Sequence, residues 1–105
     1  LADALPRRFT ASDRIQNVPT EFSRALIARL QQTPAEAAAL MAPDAGDVIA
    51  IDTTDGLRTS FATGEIVHLR PSGNAPELRC YAEAADEPRA RALCDACLAR
   101  IAASA

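Results

Sequence analysis

The sequence predicts an α+β domain: an antiparallel sheet of about four to five strands with helices packed on one of its faces. Three observations carry this. Between residues 47 and 83, short runs alternate apolar with polar side chains and are separated by turn residues, the pattern of a half-buried antiparallel meander. Segments before and after it carry apolar residues at spacings of three and four, the mark of amphipathic helices. The 105 residues are 49% hydrophobic and 24% charged, ordinary globular usage for about one domain and one core. Helices on either side of a meander must cover one face of it.

Residues 1–6, LADALP, give no clear element, and the chain begins without a methionine, so it could be a cut piece. The domain itself runs over residues 7–105. Residues 7–18 hold strand-like stretches broken by Ser12-Asp13, and Pro19-Thr20 stops the run and can open a helix. From Glu21 to Gln32, Phe22, Leu26, Ile27 and Leu30 form one helical stripe. A second short helix follows Pro34 over AEAAALM and ends at Pro43-Asp44-Ala45-Gly46.

Residues 47–53 read as a strand, and Asp55-Gly56 is a hairpin signal. LRTSFA then alternates Leu57, Thr59 and Phe61 against Arg58 and Ser60, and Thr63-Gly64 turns the chain into EIVHL. After a proline-bounded connection, ELRCYAE alternates Leu78, Cys80 and Ala82 against Arg79, Tyr81 and Glu83. Residues 87–103 close with a helix whose Ala90, Leu93, Cys94, Cys97, Leu98 and Ile101 share one side.

Charge and composition exclude several functions. The net charge is -3 and aromatic residues are 4%, so there is neither a basic field for a phosphodiester backbone nor a stacking platform for bases. Nucleic acid is not the expected partner. No apolar run reaches the roughly 18–20 residues that span a bilayer, and the start lacks the basic-then-apolar order of a signal peptide. Neither a membrane nor a secretory route is expected; three cysteines, an odd number, fit a reducing cytoplasm. All 11 basic residues are arginine, so any anion meets planar guanidinium forks.

Several small motifs have a plain reading that outweighs the chemical one. Cys94 and Cys97 form a CxxC, and with Cys80 and His68 could complete a zinc set. Zinc pairs of this kind usually sit in turns, whereas here both sulfurs lie on the apolar stripe of a helix, where cysteine is a small packing residue. His68 is the sole histidine, lies in a strand and has no evident nucleophile beside it, which points to a structural role or the edge of a site. Asp44 and Asp47 lack the further oxygen ligand that magnesium needs and fit a helix-to-strand turn. No catalytic or metal-binding residue is expected in this chain.

The connection Arg70-Pro71-Ser72-Gly73-Asn74-Ala75-Pro76 differs, because each member has a use at a phosphate. Arg70 can donate two parallel N–H bonds to phosphate oxygens, each charge-assisted bond contributing about 1.5–3 kcal/mol. Ser72 and Asn74 add neutral donors. Gly73 can take positive φ, letting successive backbone N–H groups converge on an anion with no Cβ in the way. Pro71 and Pro76 lower the entropy of ordering the loop. The alternative is a merely rigid connection.

HLRPSGNAPELRCYAEA, with the preceding DGLRTSF and the following helix, resembles the C-terminal domain of the α-D-phosphohexomutases, the phosphomannomutase and phosphoglucomutase family, along essentially the whole chain. The family's loop has the form R-x-S-[GN]-T-x-P, followed by a strand with an arginine and a glutamate. The matching positions are Arg70, Ser72, Gly73, Asn74 and Pro76, then Arg79 and Glu83. Asn74 stands where threonine is usual and Ala75 where glutamate often stands; asparagine keeps a donor.

The resemblance implies a fold like that of the TATA-box-binding protein and a parent enzyme of four domains, of which this chain is the last, joined to the preceding domain by a hinge or linker at residues 1–6. The family's phosphoserine loop is absent: Thr10-Ala11-Ser12 begins like it but continues Asp13-Arg14. The magnesium loop and the sugar-reading loop are absent too, so this domain alone is expected to need no cofactor and to catalyse nothing, while the full enzyme uses Mg2+. The family interconverts hexose 1-phosphates and 6-phosphates of mannose or glucose through a phosphoserine and a 1,6-bisphosphate. Its last domain holds the phosphate remote from the chemistry, a role that falls here to Arg70, Ser72, Gly73 and Asn74, with Arg79 supporting the loop or the adjoining interface. Exopolysaccharide supply is the pathway the family suggests. Two rival readings are a non-catalytic module that senses a small molecule and a purely structural domain interacting through the Tyr81 face.

Overall fold

The computed structural model describes residues 8–72 and 76–104, with the side chain of residue 104 left out. The elements run β1 (Phe9–Gln16), α1 (Thr20–Gln32), α2 (Pro34–Met41), β2 (Val48–Asp52), β3 (Leu57–Phe61), β4 (Ile66–Pro71), β5 (Glu77–Ala84) and α3 (Glu87–Ser104). The expected hinge at residues 1–6 lies outside the described residues.

All five strands form one antiparallel sheet in the order β1-β5-β4-β3-β2. The meander β2 to β5 is the one that the alternation predicts, and β1 returns to pair with β5 along its full length, Phe9 opposite Ala84 to Gln16 opposite Glu77. Ser12-Asp13 does not break that strand, contrary to the sequence expectation. Both residues find cross-strand partners, Tyr81 and Cys80, and paired backbone outweighs the turn preference of two polar side chains.

The side-chain period of two sorts the sheet into faces. Leu57, Thr59 and Phe61, then Val67 and Leu69, then Leu78, Cys80, Ala82 and Ala84 are all buried on one side. The helices cover that side: Leu26 and Leu30 of α1, Ala37 and Met41 of α2, and Ala90, Leu93, Cys94, Cys97, Leu98 and Ile101 of α3 join the same cluster. The one polar side chain of β3 in this core, Thr59, directs Oγ1 at Met41 Sδ, 3.6 Å away. At the β2 edge the register shifts between Val48 and Ala50, so that Ile49 is an extra, 65% exposed residue.

Helix ends are held from outside. Pro34 opens α2 at a position where its missing N–H costs nothing. The last carbonyls of α2 accept from Arg100 of α3, Nε to Leu40 O at 2.6 Å and Nη2 to Met41 O at 2.9 Å. Among the described residues no helix is long and apolar enough to cross a membrane.

Candidate functional site

The face without helices carries the charged and polar members of each alternation. Arg70 is the fifth residue of β4 and Arg79 the third of β5, and the two are direct register partners. Placing Arg70 in the connecting loop was therefore one element off: it is fixed by strand pairing, and so is Pro71, opposite Leu78. A proline at the end of a strand withholds one N–H from the ladder and leaves the rest intact. Ser72 follows at the mouth of the loop, where its N–H donates to the Glu77 carbonyl at 3.0 Å and closes the connection. Gly73 and Asn74 lie outside the described residues. On the far side, the Val18 N–H donates to the Pro76 carbonyl at 2.7 Å, tying the end of β1 to the loop exit.

Two carboxylates pair with these arginines. Asp55, in the turn between β2 and β3, sets Oδ2 3.2 Å from Arg70 Nε. Glu77, only 11% exposed in its side chain, accepts from Arg79 Nε at 3.1 Å and lies 3.7 Å from Arg14 Nε on β1. Hydrogen bonding with the Tyr81 hydroxyl, and then with Glu77, holds the Arg79 guanidinium above its ordinary pKa. His68 stands one step along the same face: its Nε2 donates to the Asp55 carbonyl, and its ring lies 5.8 Å from that of Tyr81, tilted by 44°. It thus braces the turn whose Asp55 pairs with Arg70, a structural role, one of the two alternatives expected of it.

The turn is pressed close to β4. Gly56 has φ +76°, and a Cβ there would collide with the Leu69 carbonyl oxygen and stand 3.1 Å from Arg70 Cα. Glycine is required here by conformation and by space alike.

The other sequence candidates separate from this site. Cys80 of β5 and Cys94 and Cys97 of α3 are fully buried between sheet and helix as free thiols. Hydrogen bonding to Cys94 and Cys97, together with burial, pushes the Cys80 thiol up. Among the described residues no group of three or more His, Cys, Asp or Glu is placed to hold a metal ion. Asp44 belongs to a structural cluster. Arg89 of α3 donates to Asp44 at 2.8 and 3.2 Å and to Glu65 at 2.7 and 3.0 Å.

Arg14, Asp55 and Glu77 are members of the site that sequence reasoning passed over. The signal for Arg14 was its parity with Ser12 and Gln16 in β1, visible only once that strand is taken as unbroken. Asp55 shows in the sequence only as part of a hairpin signal and Glu77 carries no motif, and only register and turn geometry bring them to the arginines.

The chain has recognisable relatives. Residues 10–100 match the family described as "Phosphoglucomutase/phosphomannomutase, C-terminal domain". The chain is 51% identical over 79 residues, 75% of its length, to a phosphomannomutase of Sinorhizobium fredii. It is 40% identical over 84 residues, 80% of its length, to a phosphomannomutase of Salmonella muenchen. It spans only 16% and 18% of those two relatives. With a match of that extent and an α+β fold of the expected kind, the chain belongs to the phosphoglucomutase/phosphomannomutase family and represents its C-terminal domain.

Proposed function

We propose that this chain is the substrate phosphate-binding domain of a phosphomannomutase/phosphoglucomutase, gripping the phosphate of a hexose phosphate while the opposite end of the sugar reacts. The observation that supports this best is the pairing of Arg70 with Arg79 across β4 and β5, beside the loop that Ser72 opens. Two planar forks on rigid strands offer charge-assisted donors at the root of that loop, with little entropy left to lose. Gly73 and Asn74 supply further donors in this reading.

The parent enzyme contributes the rest: three other domains, a phosphoserine, Mg2+ held outside this domain, and the contacts that choose mannose or glucose. Its substrates and products are hexose 1-phosphates and 6-phosphates, with a 1,6-bisphosphate between them, in the cytoplasm and toward exopolysaccharide synthesis. The domain's share is positioning, which lowers the entropic cost of a distant phosphoryl transfer. Residues 1–6 would be the hinge about which it closes.

Arg70→Ala in the intact protein tests this. KM for the hexose phosphate rises at least tenfold, and kcat falls less, because the lost contact holds the bound substrate and the transition state alike. Unchanged KM would refute the assignment.

A further inference from the structure

The open sheet face holds more positive charge than a single phosphate grip needs. Arg14 faces Arg79 across β1 and β5, and Arg79 faces Arg70 across β5 and β4. Three arginines therefore stand in one row over three adjacent strands, with neighbouring Cα atoms about 5 Å apart. Like charges directly opposite one another across strands work against folding. Glu77 and Asp55 offset two of the three charges and leave the row with a positive excess.

The end of the row nearest β1 opens into a surface recess of about 180 Å³ lined by Ser12, Asp13, Arg14, Arg79 and Tyr81. Ser12 and Tyr81 are themselves register partners, one step along the same face from Arg14 and Arg79. The recess thus combines two guanidiniums with two hydroxyls, a donor set suited to an oxyanion. Asp13 does not cancel it: its Oδ1 accepts from the Arg14 N–H, and its Oδ2 lies 4.0 Å from Arg91 of α3. Glu77 pairs with the Nε edge of both forks, at 3.7 and 3.1 Å, so an incoming oxyanion would bind at their Nη groups, beside that carboxylate.

We propose that Arg14, Arg79, Ser12 and Tyr81 form a second phosphate subsite, distinct from the grip at Arg70, that takes a phosphate monoester dianion. The proposal rests on the function above only for naming phosphate as the anion. Arg79 lies between the two subsites, so occupancy of one weakens the other.

Calorimetric titration of the intact protein with inorganic phosphate, at low ionic strength, decides it. The wild type binds two phosphates. Arg14→Gln keeps only the site that depends on Arg70, and Arg70→Gln keeps only the site that depends on Arg14. Tyr81→Phe, which removes one hydroxyl and leaves the ring, weakens the second site severalfold without altering the melting temperature. A single site untouched by Arg14→Gln would overturn this subsite and leave the Arg70 grip standing. A single site untouched by Arg70→Gln but lost in Arg14→Gln would support the subsite and overturn the grip. No binding, or one site that both variants weaken, overturns the proposal. Competition with glucose 6-phosphate identifies the source: displacement of the Arg14-dependent phosphate assigns the subsite to sugar phosphates, and no displacement assigns it to free phosphate.

Discussion

Asp55 reaches Arg70 from the neighbouring turn, its Oδ2 3.2 Å from the arginine Nε. Both side chains are about half exposed, so the pair adds only about 0–1 kcal/mol to stability. Its weight lies at the proposed phosphate site, where the carboxylate occupies one edge of the guanidinium and would repel an arriving phosphate. Asp55→Asn keeps the shape and removes the charge. Phosphate affinity should rise severalfold at low salt, with the gain shrinking as ionic strength increases. Calorimetry at two salt concentrations checks this; weaker binding in the variant would show that Asp55 positions Arg70 rather than competing for it.

Gly56→Ala should couple stability to the site. Positive φ alone costs a non-glycine residue about 1–3 kcal/mol, and the added methyl collides with the Leu69 carbonyl. Relief requires the turn to lift from β4, which carries Asp55 away from Arg70 and loosens the His68 brace. Thermal melting should fall by several degrees and phosphate affinity should change with it. Gly64→Ala is the control, since a Cβ there meets no atom within 4 Å although φ is +91°.

The fold was legible because its elements obey local rules. Alternating burial along β3 is what Leu57-Arg58-Thr59-Ser60-Phe61 specifies by alternation, and the stripe from Ala90 to Ile101 on α3 is what its spacing specifies. The site was legible in part. Arg70 and Ser72 stand out by the company they keep in sequence, whereas Arg14 is far from them along the chain and reaches the same face only through the β1–β5 register. Register is set by the sum of many pairings, which no short stretch of sequence displays. The same holds for Arg89, whose partners Asp44 and Glu65 come from two other turns.

The cysteines should behave as core atoms. All three are free and fully buried, and the Cys80 thiol is raised by its hydrogen bonds to the other two and by burial. Burial denies a reagent access to all three, although hydrogen bonding with Cys80 holds the Cys94 thiol below its ordinary value, so a chromogenic disulfide reagent should find no reactive thiol in the native protein and three in denaturant. Cys94→Ala leaves a small void under β5 and should lower stability by about 1 kcal/mol without changing phosphate affinity. Stoichiometric zinc in the purified protein, or rapid native labelling, would contradict the packing role.

Arg89 is the residue whose loss should be felt most across pH. It donates to Glu65, only 14% exposed in its side chain, and to Asp44, which is 67% exposed. Hydrogen bonding from Arg89 is the largest cause that holds Glu65 below its ordinary value of 4.5, and likewise Asp44 below 3.8. Carboxylates lowered by folding stabilise the native state above their unfolded values, and that contribution fades as pH falls through the lower folded ones. Arg89→Met should therefore cost about 1.5–3 kcal/mol at pH 7, mostly through the mostly buried Glu65, since exposed Asp44 adds little. The difference between wild type and variant should narrow steadily below about pH 4.5. Urea unfolding at pH 7, 4.5 and 3 measures it, and a difference independent of pH would mean that Arg89 acts through its apolar stem rather than its charge.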